Sequence, residues 1–202
     1  MTSMSRRSRL SFVPAAIVGV AAAVQPAPTE PAEVIDPRWV TARAISEEFA
    51  AELRAALEKA MTDKGPAAAI AVCRDEAPRI AARLSAGSGT SVSRTGLRVR
   101  NPGNTPQPWQ RTVLDTFEIR LAAGAKPAEL EYFEIHADGS ARYLRAIVTQ
   151  PLCLVCHGEA IAPALEEALE EYYPQDQARG FKVGDLRGAV SIEWPARKDA
   201  AP

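Results

Sequence analysis

Two cysteines and a histidine stand close together in the sequence Cys153-Leu154-Val155-Cys156-His157. The pattern Cys-x-x-Cys-His is typical of a site where c-type haem is attached covalently. Thiols three positions apart can add to the two vinyl groups of one porphyrin, and the next imidazole can then bind the iron. The chain has 3 Cys and 2 His among its 202 residues, so chance is a poor explanation of this arrangement. The motif predicts one haem held by Cys153 and Cys156, with His157 as an iron ligand.

A disulfide, structural or redox-active, and a zinc site are the alternative uses of these residues. A thioredoxin-like dithiol follows a strand and opens a helix in a βαβ unit, whereas an antiparallel hairpin is predicted before Cys153. A zinc site takes four ligands, and outside the motif the chain offers Cys73 and His136 as cysteine or histidine ligands. The sequence therefore favours haem.

The other face of the iron needs a ligand from elsewhere, or stays open, and Met61, Cys73 and His136 are the candidates. His136 falls at the tip of a predicted hairpin, roughly 40 Å of extended strand from the motif, so we expect it to be exposed. Met61 ends a predicted amphipathic helix, where a methionine at helical spacing usually packs in the core.

Cys73 is the third cysteine and has no disulfide partner once the motif holds haem. A helix is predicted to begin at Asp75, which would place Cys73 just before a helix N-terminus. The positive end of the helix dipole, together with Arg74, would then favour the thiolate, the form that binds iron. A buried free thiol packed beside Ile70 and Val72 is the alternative.

The N-terminal residues have the pattern of an export signal. Residues 1–10 carry three arginines and no acidic residue, and an apolar stretch, Leu10–Val24, contains the small residues Ala21–Ala23. This predicts a signal peptide over residues 1–23, with an uncleaved anchor as the alternative. Haem attachment of this kind takes place on an unfolded chain outside the cytoplasm, which argues against a twin-arginine signal at Arg6 and Arg7. We expect a periplasmic or otherwise exported protein.

Charge and composition exclude some partner classes. The chain has 24 basic and 25 acidic residues and a net charge of −1, which gives no electrostatic footprint for nucleic acid. Loss of residues 1–23 would change the net charge to −4.

Residues 24–39, with 4 prolines, predict an extended linker, and residues 196–202 predict a short tail.

The residues between, 40–195, predict a single α+β domain with helices first and a mostly antiparallel sheet afterwards. Helical periodicity or capping predicts helices from Thr41 to the stop at Gly65 and Pro66, from Asp75, over Trp109–Leu121 and over Pro163–Tyr173. Alternation and turn residues predict strands over Thr90–Val99, Glu129–Ile135, Arg142–Val148 and Gly188–Trp194. Asp138 and Gly139 mark a hairpin between the second and third strands.

Several motifs in this order resemble one family. They are Cys73 with Pro78, Arg100-Asn101-Pro102 with Asn104, Tyr143 and Arg145, the Cys153–Gly158 segment, and the run from Tyr173-Pro174 through Asp176, Ala178, Gly180-Phe181 and Gly184-Asp185-Leu186 to Gly188. The sequence over about residues 40–195 resembles the c-type haem domain of PAS-like fold. That family includes exported single-domain proteins and the extracytoplasmic sensor part of histidine kinases.

The resemblance implies a PAS-like antiparallel sheet flanked by N-terminal helices, and a haem ligated by His157 and Cys73. Three further residues are candidates for cofactor contact. Asn101 is equally a turn former. Tyr143 and Arg145 share one face of a strand, where Arg145 either pairs with a haem propionate or faces water.

Two protein ligands would leave no open iron position, so we expect no enzyme. A thiolate ligand that is lost on reduction or on binding nitric oxide or carbon monoxide predicts a redox or gas sensor that signals to a separate protein partner. A low-potential electron-transfer cytochrome is the alternative, and a domain that binds another organic ligand in a PAS-like pocket is a third hypothesis.

Overall fold

The computed structural model describes residues 35–197, in which helices come first and the sheet is completed at the C-terminal end. The helices of this part of the chain are α1 (Pro37–Lys64), α2 (Pro66–Ala71), α3 (Ala77–Ser88), α4 (Pro108–Ala122), α5 (Leu154–His157) and α6 (Pro163–Tyr172). The strands are β1 (Ser91–Thr95), β2 (Glu131–Ile135), β3 (Ala141–Val148) and β4 (Leu186–Trp194). Single 3₁₀ turns cover Pro102–Asn104, Pro127–Glu129 and Pro151–Cys153, and a π-helical turn covers Val72–Glu76.

Helix α1 begins at Pro37, four residues before the predicted start at Thr41. The Asp36 side chain accepts a hydrogen bond from the backbone N–H of Arg38 at 2.8 Å, and proline suits the first turn because its missing N–H would have no helical partner there. The helix ends at Gly65, as predicted, where φ is +81° and the N–H donates to the Met61 carbonyl. The last residues of the predicted linker are therefore part of the fold.

The prediction that a helix begins at Asp75 is wrong. The backbone stays helical from α2 through the π-helical turn into α3, with φ and ψ of −61° and −46° at Val72 and −61° and −41° at Ala77. The Ala77 N–H donates to the Val72 carbonyl, five residues back. Pro78 follows at once and has no N–H to give, so the wider turn lies where proline interrupts the α-helical ladder.

The four strands of the described residues form one antiparallel sheet in the order β1-β4-β3-β2. The predicted hairpin is confirmed, with Ile135 opposite Ala141 on either side of the Asp138-Gly139 turn. Strand β4 is central and pairs with β1 through Val190 opposite Arg94. The predicted α+β class with a single antiparallel sheet is confirmed.

Helices cover both faces of this sheet. One face packs against α1 and α3, in a core that includes Phe49, Ile80, Tyr143 and Ile192. The other face packs against α4. A third apolar cluster joins α2 to α6 beyond the end of the sheet and consists of Ile70, Leu165, Leu169 and Tyr173. The cysteines and His157 meet in the space between this third cluster and the sheet.

The predicted signal peptide, residues 1–23, most of the predicted linker, and residues 198–202 of the predicted tail lie outside the described residues. Among residues 35–197, no helix combines the length and the apolar character needed to cross a membrane.

Candidate functional site

A cavity lies where α1, α2 and the π-helical turn meet the sheet and the Cys153–His157 segment. It contains about 1030 Å³ of space between atoms, part of it open to solvent. All three cysteines and His157 line it, although Cys73 is far from the others in sequence. The remaining lining residues are Leu53, Leu57, Met61, Ala69, Ile70, Arg94, Thr95, Gly96, Val99, Arg100, Asn104, Ile147, Leu152, Tyr173, Arg187 and Gly188. The walls are thus mostly apolar, and no aspartate or glutamate of the described residues lines them.

The motif cysteines lie one helical turn apart. Cys153 ends the 3₁₀ turn after β3, and Cys156 follows in the short helix α5. A spacing of three residues puts both thiols on the same side of the turn. Neither thiol is in a disulfide, and among the described residues no group of three or more Cys, His, Asp or Glu side chains forms a metal cluster.

The imidazole of His157 is fixed by one hydrogen bond. Its Nδ1 lies 2.7 Å from the Ala178 carbonyl oxygen, which can only accept, so Nδ1 carries the proton. Burial, and then the nearby charges of Arg187 and Arg100, hold the pKa of His157 well below its usual range. The ring is therefore neutral and keeps the lone pair on Nε2, which is the form that ligates a metal.

A buried ion pair holds the motif in place. Arg100 is 7% exposed and lies 3.0 Å from Asp176, which is 2% exposed. The same guanidinium donates to the carbonyl oxygens of Cys156 and Ala178. Arg100 therefore ties the loop after α6 to the motif, rather than serving only as a turn residue.

Backbone bonds add to this connection. The N–H of Phe181 donates to the His157 carbonyl at 2.9 Å, and the N–H of Gly180 donates to the Gly158 carbonyl at 3.0 Å. Gly158 has no room for a side chain, since a Cβ there would lie 2.6 Å from the carbonyl oxygen of Leu154. The Asp176–Phe181 loop and the motif form one hydrogen-bonded unit.

Cys73 lies inside the π-helical turn, not before a helix N-terminus. The predicted effect of a helix dipole on its thiol therefore does not apply, because the helical backbone continues on both sides. The Cys73 carbonyl is five residues before Pro78, which has no N–H, and it accepts a long hydrogen bond of 3.4 Å from Arg94. The positive charge beside Cys73 comes from Arg94 of β1.

Two arginines of the cavity wall, Arg94 and Arg187, were not identified by sequence reasoning. Neither forms an ion pair with any described residue, in contrast to Arg100 with Asp176. Burial lowers the pKa of Arg187 to about 10, with help from the charges of Arg100 and Arg94, and burial also lowers the pKa of Arg94. Single arginines on strands carry no local sequence signal, so their convergence needs the fold.

Three residues predicted to contact a cofactor do not line the cavity. Tyr143 is fully buried in the core beneath α1 and α3. Arg145 shares its strand face, as predicted, but it pairs with Glu47 of α1 at 2.7 Å and lies 3.5 Å from Glu131. Asn101 caps the 3₁₀ turn that follows it, accepting from the Gly103 N–H at 2.9 Å. The face of β3 that carries Tyr143 and Arg145 meets the cavity only at Ile147.

Of the two other iron-ligand candidates, Met61 lines the cavity and His136 does not. Met61 lines the cavity, on the same stripe of α1 as Leu53 and Leu57. His136 lies at the hairpin turn, outside the cavity and half-buried rather than fully exposed, with Nε2 3.5 Å from a Glu134 carboxylate oxygen.

The described residues thus form a helix-flanked antiparallel sheet with the Cys153–His157 segment after β3. The model of the Tll0287-like family matches residues 24–195, and the chain belongs to this family. Among solved structures, it is similar to the one described as the crystal structure of the cyanobacterial heme-protein Tll0287, with 26% identity and a TM-score of 0.62. The match covers 82% of this chain and 100% of that protein, and confirms the predicted PAS-like fold. No curated protein matches the chain.

Proposed function

We propose that this chain is a haem protein that holds one haem in the cavity, attached through Cys153 and Cys156 and ligated by His157. The observation that carries the proposal is the neutral, oriented His157 beside two free thiols one turn apart. Mostly apolar walls, three lining arginines and the absence of lining carboxylates among the described residues suit a mainly apolar ligand with acidic groups. The similarity to a cyanobacterial heme-protein supports the same assignment.

A pyridine haemochrome spectrum of the purified protein tests this proposal. We expect a c-type spectrum, and haem that stays with the chain in denaturing electrophoresis. Replacement of both Cys153 and Cys156 by alanine should leave haem that is extracted by acidified solvent. A chain that carries no haem after expression with a c-type maturation system would contradict the proposal.

Cys73 is the second iron ligand in this proposal. Its support is the cavity itself, which has Cys73 on the helical wall and His157 in the segment after β3. Arg94 of β1 donates a hydrogen bond to the Cys73 carbonyl at 3.4 Å, which connects the π-helical turn to the sheet beside the cavity. Two protein ligands would leave no open position, so we propose no enzymatic activity.

We infer that the protein is an exported redox or gas sensor. Bound haem iron would supply one-electron redox chemistry and reversible binding of nitric oxide or carbon monoxide, and both weaken a bond to thiolate. Cys73 would be the ligand released by that change. Because Cys73 lies in the π-helical turn between α2 and α3, its release frees a segment that is already interrupted by Pro78. That segment is the element that would signal to a separate redox or signalling protein.

Ferric electron paramagnetic resonance of the wild type, Cys73→Ala and Met61→Ala tests the ligand. We expect low-spin thiolate features that are lost in Cys73→Ala and kept in Met61→Ala, since both residues line the cavity. Amide hydrogen exchange in the ferric, ferrous and nitric oxide-bound states then tests the sensor. Faster exchange over α2, the π-helical turn and α3 after reduction or gas binding would support it.

The alternative is a low-potential periplasmic electron carrier. The half-exposed Leu152–Cys156 segment favours it, because an accessible cofactor edge allows electron exchange with a partner. Unchanged hydrogen exchange on reduction, together with rapid reduction of a soluble cytochrome, would support the carrier over the sensor.

A further inference from the structure

The cavity contains more positive charge than the fold neutralises. Three arginines line it, and no lining residue is acidic. Arg100 is balanced by Asp176 at 3.0 Å, behind the wall. Arg94 and Arg187 have no ion-pair partner among residues 35–197. Charged groups in a protein interior are normally paired, because an unpaired buried charge loses its hydration without compensation. Two unpaired cations in one cavity indicate an anionic ligand.

Both guanidinium groups are held in place by contacts that leave most of their donors free. Arg94 gives one N–H to the Cys73 carbonyl, and its guanidinium carbon lies 5.8 Å from the centre of the Phe49 ring. Arg187 gives one N–H to the Arg98 carbonyl at 3.3 Å and lies 5.2 Å from the centre of the Phe181 ring. A guanidinium has five N–H donors, so each arginine keeps several for a ligand.

The two arginines come from neighbouring strands. Arg94 is on β1 and Arg187 is in β4, and these strands pair in the sheet. Strand pairing therefore brings both residues to the same end of the sheet, where both line the cavity. The carboxylate is the anion that suits this arrangement, because the planar guanidinium can donate two parallel N–H bonds to its two oxygens.

We propose that Arg94 and Arg187 form a carboxylate-binding site that takes the two propionate groups of haem. This inference rests on the proposed function and adds to it the residues that recognise the acidic edge of the ligand. It assigns to Arg94 and Arg187 the role that sequence reasoning considered for Arg145. Arg145 has Glu47 as its partner instead.

Comparing the binding of haem with that of haem dimethyl ester, in which both carboxylates are blocked, tests whether the site recognises the carboxylates. The parent for the test is the full chain with Cys153→Ala and Cys156→Ala, which removes covalent attachment so that either form can be titrated. We expect the parent to bind haem roughly tenfold or more tightly than the ester, as expected for charge-assisted hydrogen bonds. Addition of Arg94→Leu and Arg187→Leu should weaken haem binding roughly tenfold to hundredfold. It should also bring the two dissociation constants within about threefold of each other.

Arg98→Leu is the matched control. Arg98 also contacts Phe181, with its guanidinium carbon 3.7 Å from the ring centre, but it does not line the cavity. Arg98→Leu removes one positive charge, against two in the cavity variant, and should leave the preference for haem over its ester at the parent value. If the leucine variant loses its thermal unfolding transition, Arg94→Lys with Arg187→Lys replaces it, and the preference should fall several-fold because the paired donors are lost.

A parent that binds haem and the ester equally well would overturn this inference and leave the proposed function standing. A leucine or lysine variant that keeps the full preference would do the same. A parent that binds neither form would count against both. An effect of Arg98→Leu as large as that of the cavity variant would show a general charge effect and overturn the site.

Discussion

Nδ1 of His157 lies 2.7 Å from the carbonyl oxygen of Ala178, and the same oxygen accepts a hydrogen bond from Arg100 at 3.3 Å. One carbonyl group therefore orients the imidazole and receives the arginine that holds the motif. The Asp176–Phe181 loop acts on the site through this atom, although no residue of the loop lines the cavity.

Asp176→Asn should destabilise the protein and disturb the site. The substitution removes the charge opposite Arg100 and leaves a buried guanidinium without compensation, at a cost of about 3–5 kcal/mol. Urea denaturation gives the free energy of unfolding, and the absorbance of the loaded protein reports the His157 ligand. Glu166→Gln is the control, since Glu166 pairs with Arg179 at the surface, at 3.1 Å, and should cost less than about 1 kcal/mol. Equal losses in the two variants would argue against the role of the buried pair.

Gly158→Ala should reduce the yield of haem-loaded protein. A Cβ at this position would lie 2.6 Å from the Leu154 carbonyl oxygen, so the short helix α5 must shift, and His157 with it. The ratio of haem absorbance to protein absorbance after purification measures the effect. Gly87→Ala in α3 is the control, because nothing lies within 4 Å of its Cβ position and alanine favours a helix by about 0.5–1 kcal/mol. Normal loading of Gly158→Ala would show that α5 adapts.

Pro78→Ala should change the environment of the Cys73 ligand without unfolding the protein. Alanine restores an N–H at the point where the helical ladder is interrupted, which favours a regular α-helix in place of the π-helical turn. A regular turn rotates Cys73 relative to the cavity, so we expect altered thiolate features in the ferric resonance spectrum. Pro163→Ala is the control, since Pro163 is at the first position of α6 and its N–H would have no helical partner. A Pro78→Ala spectrum identical to that of the wild type would contradict this account of the turn.

Tyr143→Phe and Arg145→Gln should leave the haem spectrum unchanged. The Tyr143 hydroxyl is buried without a hydrogen-bond partner, so its removal should leave the free energy of unfolding unchanged or raise it by up to about 1 kcal/mol. Arg145→Gln removes pairs with Glu47 and Glu131 outside the cavity. Absorbance spectra and thermal unfolding check both variants. A shifted haem spectrum in either would return these residues to the site that the sequence predicted.

Residues that are adjacent in the chain were the most predictable part of the site. The role of the Cys153–His157 motif could be predicted because its five residues are consecutive in the sequence. Cys73 was predicted from its rarity and from a family resemblance, and it does line the cavity. The predicted reason for its charge is wrong, because the backbone is helical on both sides of Cys73 and no helix N-terminus begins at Asp75.

Residues that meet only in three dimensions were not predictable in the same way. Strand alternation places Tyr143 and Arg145 on one face but does not say which layer covers that face, and the layer is α1. Arg94 and Arg187 stand 93 positions apart in the sequence and come together through strand pairing. Arg100 and Asp176 likewise have no local signal. Periodicity in the sequence predicts which segments are strands and which are helices, whereas the set of residues that line the cavity depends on the topology of the fold.

Helix α1 links the cavity to the opposite end of the sheet. Its 28 residues span about 42 Å, with Leu53, Leu57 and Met61 in the cavity wall and Arg38 bonded to the Gly139 carbonyl in the hairpin turn at 2.8 Å. One continuous helix thus joins the cavity wall to the hairpin turn, and a shift of α1 at the cavity would strain the Arg38–Gly139 hydrogen bond at its other end.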